Sequence, residues 1–237
     1  MTEAERDSDP VIVELEGVEK TYMQGKIEVH ALRGIDLEVR RGEFMALTGP
    51  SGSGKTTALN IIGALDTPSK GRAFVEGRDL STMSRGELSR MRRDKIGFVF
   101  QAYNLVPVLT AFENAEMVVR LQGADAGERR ERVMALLKEV GLEGMENRRP
   151  NELSGGQQQR VAIARAIASN PVVTLADEPT ANVDSVTAEM LLTVMETLNR
   201  ERGVTFIFST HDERVMARAR RIVRLVDGKI VSDERRE

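Results

Sequence analysis

Gly49-Pro50-Ser51-Gly52-Ser53-Gly54-Lys55-Thr56-Thr57 stands between two apolar runs, Phe44-Met45-Ala46-Leu47 and Ala58-Leu59-Asn60-Ile61-Ile62. The first run reads as strand and the second as helix. Strand, glycine loop and helix is the setting in which G-x-x-x-x-G-K-[ST] forms a phosphate cradle. Glycines let successive backbone N–H groups turn inward onto an anion. A helix beginning near Lys55 adds the positive end of its dipole. In such a cradle Lys55 reaches the β- and γ-phosphates and the Thr56 hydroxyl ligates Mg²⁺. The competing reading is a glycine-rich turn carrying an exposed lysine. It is the weaker one, because both flanking elements are present.

Three more apolar runs end in chemistry-bearing residues. Ile96 to Phe100 ends in Gln101, Val172 to Ala176 in Asp177-Glu178, and Val204 to Phe208 in Ser209-Thr210-His211. Paired carboxylates at a strand end are usually solvated surface, and a lone histidine is more often structural than catalytic. Here each group closes a buried strand, and open parallel sheets bind ligands at that edge. Leu153-Ser154-Gly155-Gly156-Gln157 places a helix-capping serine and two glycines before a helix expected from about Gln157 to Ser169. It reads equally as a second anion site or as an ordinary glycine-rich helix start. Tyr22, just after a strand, is either a platform for an adenine ring or a half-buried strand aromatic. Thr174 is a polar residue in an apolar run, able to bond backbone or pack its methyl, with no functional reading.

These residues need a frame to bring them together. The 237 residues suffice for one domain, or one domain with two lobes, and 41% hydrophobic residues supply a core. A net charge of −3 does not suggest an electrostatic nucleic-acid binder, and 4% aromatics leave little for base stacking. Without cysteine there is no disulfide framework and no thiolate metal site, which fits a reducing cytosol. No apolar run approaches a membrane span and the N-terminus lacks a signal-peptide core, so a membrane role is expected to go through a partner.

Along the chain, residues 1–10 read as a frayed tail. Strands follow at Val11 to Leu15, His30 to Arg33 and Ile35 to Val39, forming an antiparallel layer. Thr67 to Gly71 is a loop, Arg72 to Glu76 a strand and Gly77 to Leu80 a turn. Capping-box spacing at Ser84/Glu87, Thr110/Glu113 and Asp125/Glu128 predicts three helix starts. The last helix, Arg129 to Val140, carries Val133, Leu136, Leu137 and Val140 at helical spacing and stops at Gly141. A helix from about Asp184 to Arg202 is expected to bury Met190, Leu191, Val194 and Leu198. Arg214 to Ala219 is a short helix. Asp227-Gly228 turns a hairpin between Ile222 to Val226 and Lys229 to Val231, before a charged tail.

Phosphate loop, Gln101, LSGGQ, Asp177-Glu178 and His211, in that order, resemble the nucleotide-binding subunit of an ABC transporter. The resemblance covers about Val11 to Val231. Arg92 to Gln101, Leu153 to Arg165 and Leu175 to Thr180 are most similar to the lipoprotein-release and macrolide-efflux subfamily, with cell-division relatives close by. It implies an α/β fold: a P-loop NTPase core with a mainly parallel sheet, an antiparallel β subdomain and an inserted helical subdomain. It implies one ABC ATPase domain over 1–237, with core segments 11–101 and 151–237 and the helical subdomain at 102–150.

The resemblance also implies roles. Gly49, Pro50, Ser51, Gly52, Ser53, Gly54, Lys55, Thr56 and Thr57 wrap the triphosphate of ATP, with Tyr22 as adenine platform. Thr56 and Gln101 ligate Mg²⁺, and Asp177 holds a metal-bound water. Glu178 orients and polarises the attacking water, while His211 contacts the γ-phosphate. Phosphoryl transfer needs mainly positioning and charge neutralisation, so this division of labour is chemically sound. Ser154, Gly155, Gly156 and Gln157 contact ATP on a second protomer, giving an ATP-dependent head-to-tail homodimer. Asp184 lies in the loop that communicates between the two sites. The family often has Ser-Ala-Leu-Asp or Gly-Asn-Leu-Asp at this loop. Here it is Ala181-Asn182-Val183-Asp184, which keeps the aspartate.

The implied function is an ATP-hydrolysing motor, peripheral on the cytoplasmic face of the inner membrane, driving a separate integral permease. Efflux, lipoprotein extraction or mechanical signalling is the expected work. The alternatives are an ATP-switched regulator of cell-wall hydrolysis at division and a soluble ABC ATPase on ribosomes or DNA. With the sequence closing soon after the core, an appended C-terminal regulatory domain is not expected.

Overall fold

The computed structural model describes residues 9–236, so most of the expected 1–10 tail lies outside the described residues. Among the described residues are seven α-helices and ten strands, the strands forming two sheets. The central strand is β3 (Phe44–Thr48), buried along its length. Alternate residues face opposite sides of a sheet, and β3 divides accordingly. Phe44 and Ala46 enter one core cluster, and Met45 and Leu47 enter the other. Its neighbour β8 (Phe206–Ser209) repeats the division, with Phe206 and Phe208 on the first side and Ile207 on the second. The three phenylalanine rings pack with centroids 4.7 to 5.7 Å apart. Truncating one such buried ring costs about 3–5 kcal/mol.

The six-stranded sheet has the order β10-β9-β3-β8-β7-β6. Here β6 is Ile96–Phe100, β7 is Val173–Asp177, β9 is Arg221–Val226 and β10 is Lys229–Arg235. Strands β9, β3, β8, β7 and β6 run parallel, and β10 is the antiparallel edge. Parallel strands point their carboxyl ends to one edge. Leu47 pairs with Ser209, Ser209 with Asp177, and Asp177 with Phe100. The phosphate loop, His211, the two carboxylates and Gln101 therefore emerge side by side from adjacent strands.

The antiparallel sheet, ordered β2-β1-β4-β5, covers the second side. It contains β1 (Val11–Gln24), β2 (Ile27–Arg40), β4 (Lys70–Val75) and β5 (Arg78–Asp79). Helix α1 (Lys55–Ile62) buries Ala58, Leu59, Ile61 and Ile62 in the same cluster. Several expected boundaries change here. Tyr22 lies within β1, paired with Val29, rather than after a strand. The two expected strands at 30–39 are one, because β2 accommodates Gly34 at φ 79° without breaking. The expected loop at 67–71 ends earlier, since Lys70 and Gly71 already belong to β4. The expected turn at 77–80 carries the short strand β5.

Helix α2 (Arg85–Lys95) has the expected reciprocal capping box, Ser84 with Glu87. So has α3 (Ala111–Leu121), with Thr110 and Glu113. Asp125 caps α4 (Ala126–Glu139) through the Gly127 N–H, without the expected reciprocal bond from Glu128, and the helix starts three residues early. Val133, Leu136, Leu137 and Val140 are fully buried as expected, and Gly141 takes the left-handed stop at φ 73°. Helix α5 (Gly155–Ala168) also starts before the expected Gln157.

Helix α6 (Ser185–Arg202) buries Ala188, Leu191, Leu192, Met195, Leu198 and Asn199. Met190 is 43% exposed and Val194 only half-buried, so the buried stripe is rotated from the expected one. Apolar residues surround much of this helix, and its stripe is set by the sheet it covers. After α7 (Glu213–Arg218), the expected charged tail is instead part of β10, where Asp233 and Arg235 pair with Val223 and Arg221.

Candidate functional site

The loop after β3 is fixed by close approach. Gly49 has φ 140°, and a methyl group there would meet the Leu225 carbonyl oxygen at 2.0 Å. Gly54 has φ 104°, and a methyl there would meet the Ala31 carbonyl oxygen at 2.5 Å. Neither position admits a side chain. The β9–β10 turn grips the same loop, with the Gly228 N–H donating to the Ser53 carbonyl at 3.1 Å. Lys55, at the first position of α1, is almost buried. Its ammonium donates to the Gly49 and Pro50 carbonyls at 2.8 and 3.0 Å, straddling the loop.

A cavity of about 730 Å³ opens over this loop. Gly49 to Thr57, Tyr22, Ala31, Gln101, Glu178, Ser209 and His211 line it. A volume of this order suits a small ligand. Asp177 lies beneath it, with the Thr56 hydroxyl donating to its Oδ1 at 3.4 Å.

Glu178 has φ 46°, left-handed backbone that is costly for a residue with a Cβ. Its N–H donates to the Ser209 carbonyl at 2.9 Å, which anchors it to β8. The carboxylate accepts from the Thr210 hydroxyl at 3.3 Å, and its Oε1 lies 2.7 Å from His211 Nδ1. The loops after the two strands are tied again beyond this pair. Thr180 donates to Asp212 Oδ2 at 2.8 Å, and Arg214 donates to the same carboxylate. The Arg214 bonds, joined by that from Thr180, outweigh burial and pull Asp212 from its ordinary 3.8 down to about 2.

Tyr22 is fixed by a partner the sequence did not indicate. Its hydroxyl donates to Asp66 Oδ2 at 2.8 Å, and Lys20 Nζ pairs with Asp66 Oδ1 at 2.5 Å. The Lys20 ammonium also lies 4.9 Å from the Tyr22 ring centroid. Burial and the Asp66 carboxylate both raise the Tyr22 phenol above its ordinary value. Gln101 forms a reciprocal pair with Asn182. The Asn182 amide donates to the Gln101 carbonyl at 3.0 Å, and Gln101 Nε2 donates to Asn182 Oδ1 at 3.4 Å. The Gln101 Oε1 is left for another partner. Asn182 and Asp66 sit in irregular segments, where no periodicity marks them.

The LSGGQ residues stand apart from this cavity, whose lining includes none of Ser154, Gly155, Gly156 and Gln157. Ser154 caps α5: its Oγ accepts from the Gln157 N–H, and its own N–H donates to Gln157 Oε1 at 2.9 Å. Asp184 caps α6, accepting from the Thr187 hydroxyl at 2.6 Å and its N–H at 3.0 Å. These bonds hold the Asp184 carboxyl below its ordinary value. Thr174 Oγ1 is buried without a partner, so of its two readings the backbone bond is not made.

Among known proteins, residues 32–181 match the ABC transporter family. The lipoprotein-releasing system ATP-binding protein LolD of Anaeromyxobacter dehalogenans is 48% identical over 93% of this chain and 93% of its own length. The macrolide export ATP-binding/permease protein MacB of Escherichia coli is 45% identical over 94% of this chain, which spans 34% of that longer protein. A solved dimer of the Methanocaldococcus jannaschii cassette MJ0796, in a post-hydrolysis state with ADP and Pi, superimposes with a TM-score of 0.87. That match is at 45% identity and covers 95% of this chain and 99% of that one. The chain belongs to the ABC transporter family, as an ATP-binding subunit that hydrolyses ATP.

Proposed function

We propose that this chain is a single ABC ATPase domain that hydrolyses ATP across a head-to-tail homodimer and drives an integral membrane permease. The observation that carries the reading is the convergence of Gly49 to Thr57, Gln101, Glu178 and His211 on one cavity. Gly49 to Thr57 wrap the triphosphate, with Lys55 exchanging its loop carbonyls for phosphate oxygens. Tyr22 stacks on the adenine from the antiparallel sheet.

The donor set fits a hard divalent cation. Thr56 hydroxyl, Asp177 carboxylate and the Gln101 amide oxygen are all oxygen donors, and Mg²⁺ takes few protein ligands beside phosphate and water. Thr56 and Gln101 would hold Mg²⁺ directly and Asp177 through a water. The chemistry it would supply there is neutralisation of charge on the β- and γ-phosphates. Glu178 accepts a hydrogen bond from the attacking water and polarises it. His211 fixes the Glu178 carboxylate and contacts the γ-phosphate.

In one chain Ser154 to Gln157, at the start of α5, do not line the cavity; Ser154 is exposed, Gly155 and Gln157 are half-buried and Gly156 is buried. Placed against the partner's nucleotide, the same N-terminus would supply a second set of donors to the γ-phosphate. The solved MJ0796 dimer supports that arrangement. Asp184 lies in the adjoining loop and passes occupancy from one site to the other.

No helix among the described residues is long and apolar enough to cross a membrane. The names of the LolD and MacB relatives, a lipoprotein-releasing system and a macrolide export permease, support a permease partner and work in lipoprotein extraction or efflux. Peripheral attachment at the cytoplasmic face of the inner membrane, and mechanical signalling as a further kind of work, are parts of the same proposal. The test is co-purification of tagged Glu178→Gln chain from gently solubilised membranes in MgATP. Recovery of an integral membrane protein with a large extracytoplasmic domain supports the reading. Recovery of ribosomes or DNA-bound complexes without a membrane protein overturns it.

A further inference from the structure

Gln159 is fully buried on α5, roughly one and a half turns beyond Ser154. Its amide group does not pair within the helix. Nε2 donates to the Pro179 carbonyl at 2.8 Å and to the Phe100 carbonyl at 3.3 Å. The first acceptor belongs to the residue after Glu178, and the second to the residue before Gln101. Both acceptors are carbonyls, so the amide nitrogen must face them.

The other end of the same amide makes no bond. Oε1 is buried and has no hydrogen-bond partner. An unpaired buried acceptor is destabilising. What a glutamine supplies here that an apolar side chain could not is its nitrogen, with bonds to two carbonyls on separate segments. That nitrogen ties the LSGGQ helix to two strand ends, Phe100 at the end of β6 and the strained turn after β7; Phe100 and Asp177 pair in one ladder, but no backbone ladder joins that pair to the helix.

We propose that Gln159 is a positioning residue, which sets the Gln101 and Glu178 backbones relative to the helix that begins at Ser154. This rests on the roles given above to Glu178 and the LSGGQ segment. In the closed dimer, α5 meets the partner's nucleotide at its N-terminus. Gln159 then carries the position of that helix to both segments that arrange water and metal over the chain's own nucleotide. ATP binding itself, through Tyr22 and the phosphate loop, does not pass through Gln159. The expected signature is a loss of kcat without a change in KM.

The test compares full-length wild type with Gln159→Met, which keeps volume and removes both donors, for thermal stability, ATP KM and kcat. Displacing catalytic groups from a distance can cost about 100-fold in rate. A kcat lowered about 10- to 100-fold, with KM within about twofold and a folded chain, is the expected result. Unchanged kcat overturns the proposal. So does a loss in kcat matched by a rise in KM, which marks a general structural defect. If the Met variant does not fold, Gln159→Asn takes its place with the same expectations, since it keeps the amide but falls short of the two carbonyls. Glu178→Gln, assayed in parallel, separates the two layers. Wild-type turnover in Glu178→Gln sinks the Glu178 role itself, whereas an inactive Glu178→Gln beside a fully active Gln159 variant sinks only the strut.

Discussion

His211 Nδ1 lies 2.7 Å from Glu178 Oε1, although the two residues are 33 positions apart in the chain. Parallel pairing of β7 with β8 puts Asp177 opposite Ser209 and so brings the following residues together. The left-handed backbone at Glu178 then aims its carboxylate across the gap. The histidine is the exposed partner and the carboxylate the shielded one, with side-chain exposures of 78% and 19%. That is the arrangement expected when an outer residue fixes the angle of an inner reactive one. Replacing His211 with alanine should lower kcat about 100-fold and leave the KM for ATP within about twofold. Steady-state phosphate release measures both.

The Tyr22 platform gives a complementary split. Tyr22 is held by Asp66, which Lys20 also binds. Loss of aromatic stacking costs about 1–3 kcal/mol per base. Tyr22→Ala should therefore raise the ATP dissociation constant about tenfold, with kcat at saturating ATP little changed. Tyr22→Phe, which keeps the ring and loses only the Asp66 bond, should retain most of the affinity. Equilibrium titration with a fluorescent ATP analogue distinguishes the three chains.

Asp212 makes acid stability part of the same account. Its carboxyl is held down to about 2 by Arg214 and Thr180. A group with a depressed folded-state pKa stabilises above its unfolded value, and that contribution fades as pH falls through the folded value. The Asp212 contribution is thus complete above about pH 4 and is lost toward pH 2. Asp212→Ala should lower stability near neutrality by about 1 kcal/mol through the lost α7 cap. It should also flatten the acid limb of the stability profile. Urea denaturation from pH 2 to 7 follows both effects.

The sequence announced those parts of the site that are local in the chain. Gly49 to Thr57 form a single strand-loop-helix unit, and Gln101, Glu178 and His211 each close an apolar run. Their types and positions were legible before any contact was known. The fixing residues were not. Asp66 meets Tyr22 across 44 positions, Asn182 meets Gln101 across 81, and Gln159 looks like one more polar residue on an apolar helix. The misjudged face of α6 has a related cause. Met190, Leu191, Leu192, Val194, Met195 and Leu198 populate several stripes, and the sheet determines which is buried. Likewise β1 and β2 run past their buried residues, out to exposed Met23 and Ile27, because a long ladder of backbone bonds carries them into solvent.

The central claim is that Glu178 activates water over ATP held by the phosphate loop. Its most direct test is Glu178→Gln, measured for phosphate release and for mass by light scattering with and without MgATP. The account predicts a chain that binds ATP, becomes dimeric in its presence and turns over at roughly one hundredth of the wild-type rate or less. Turnover close to wild type would contradict it.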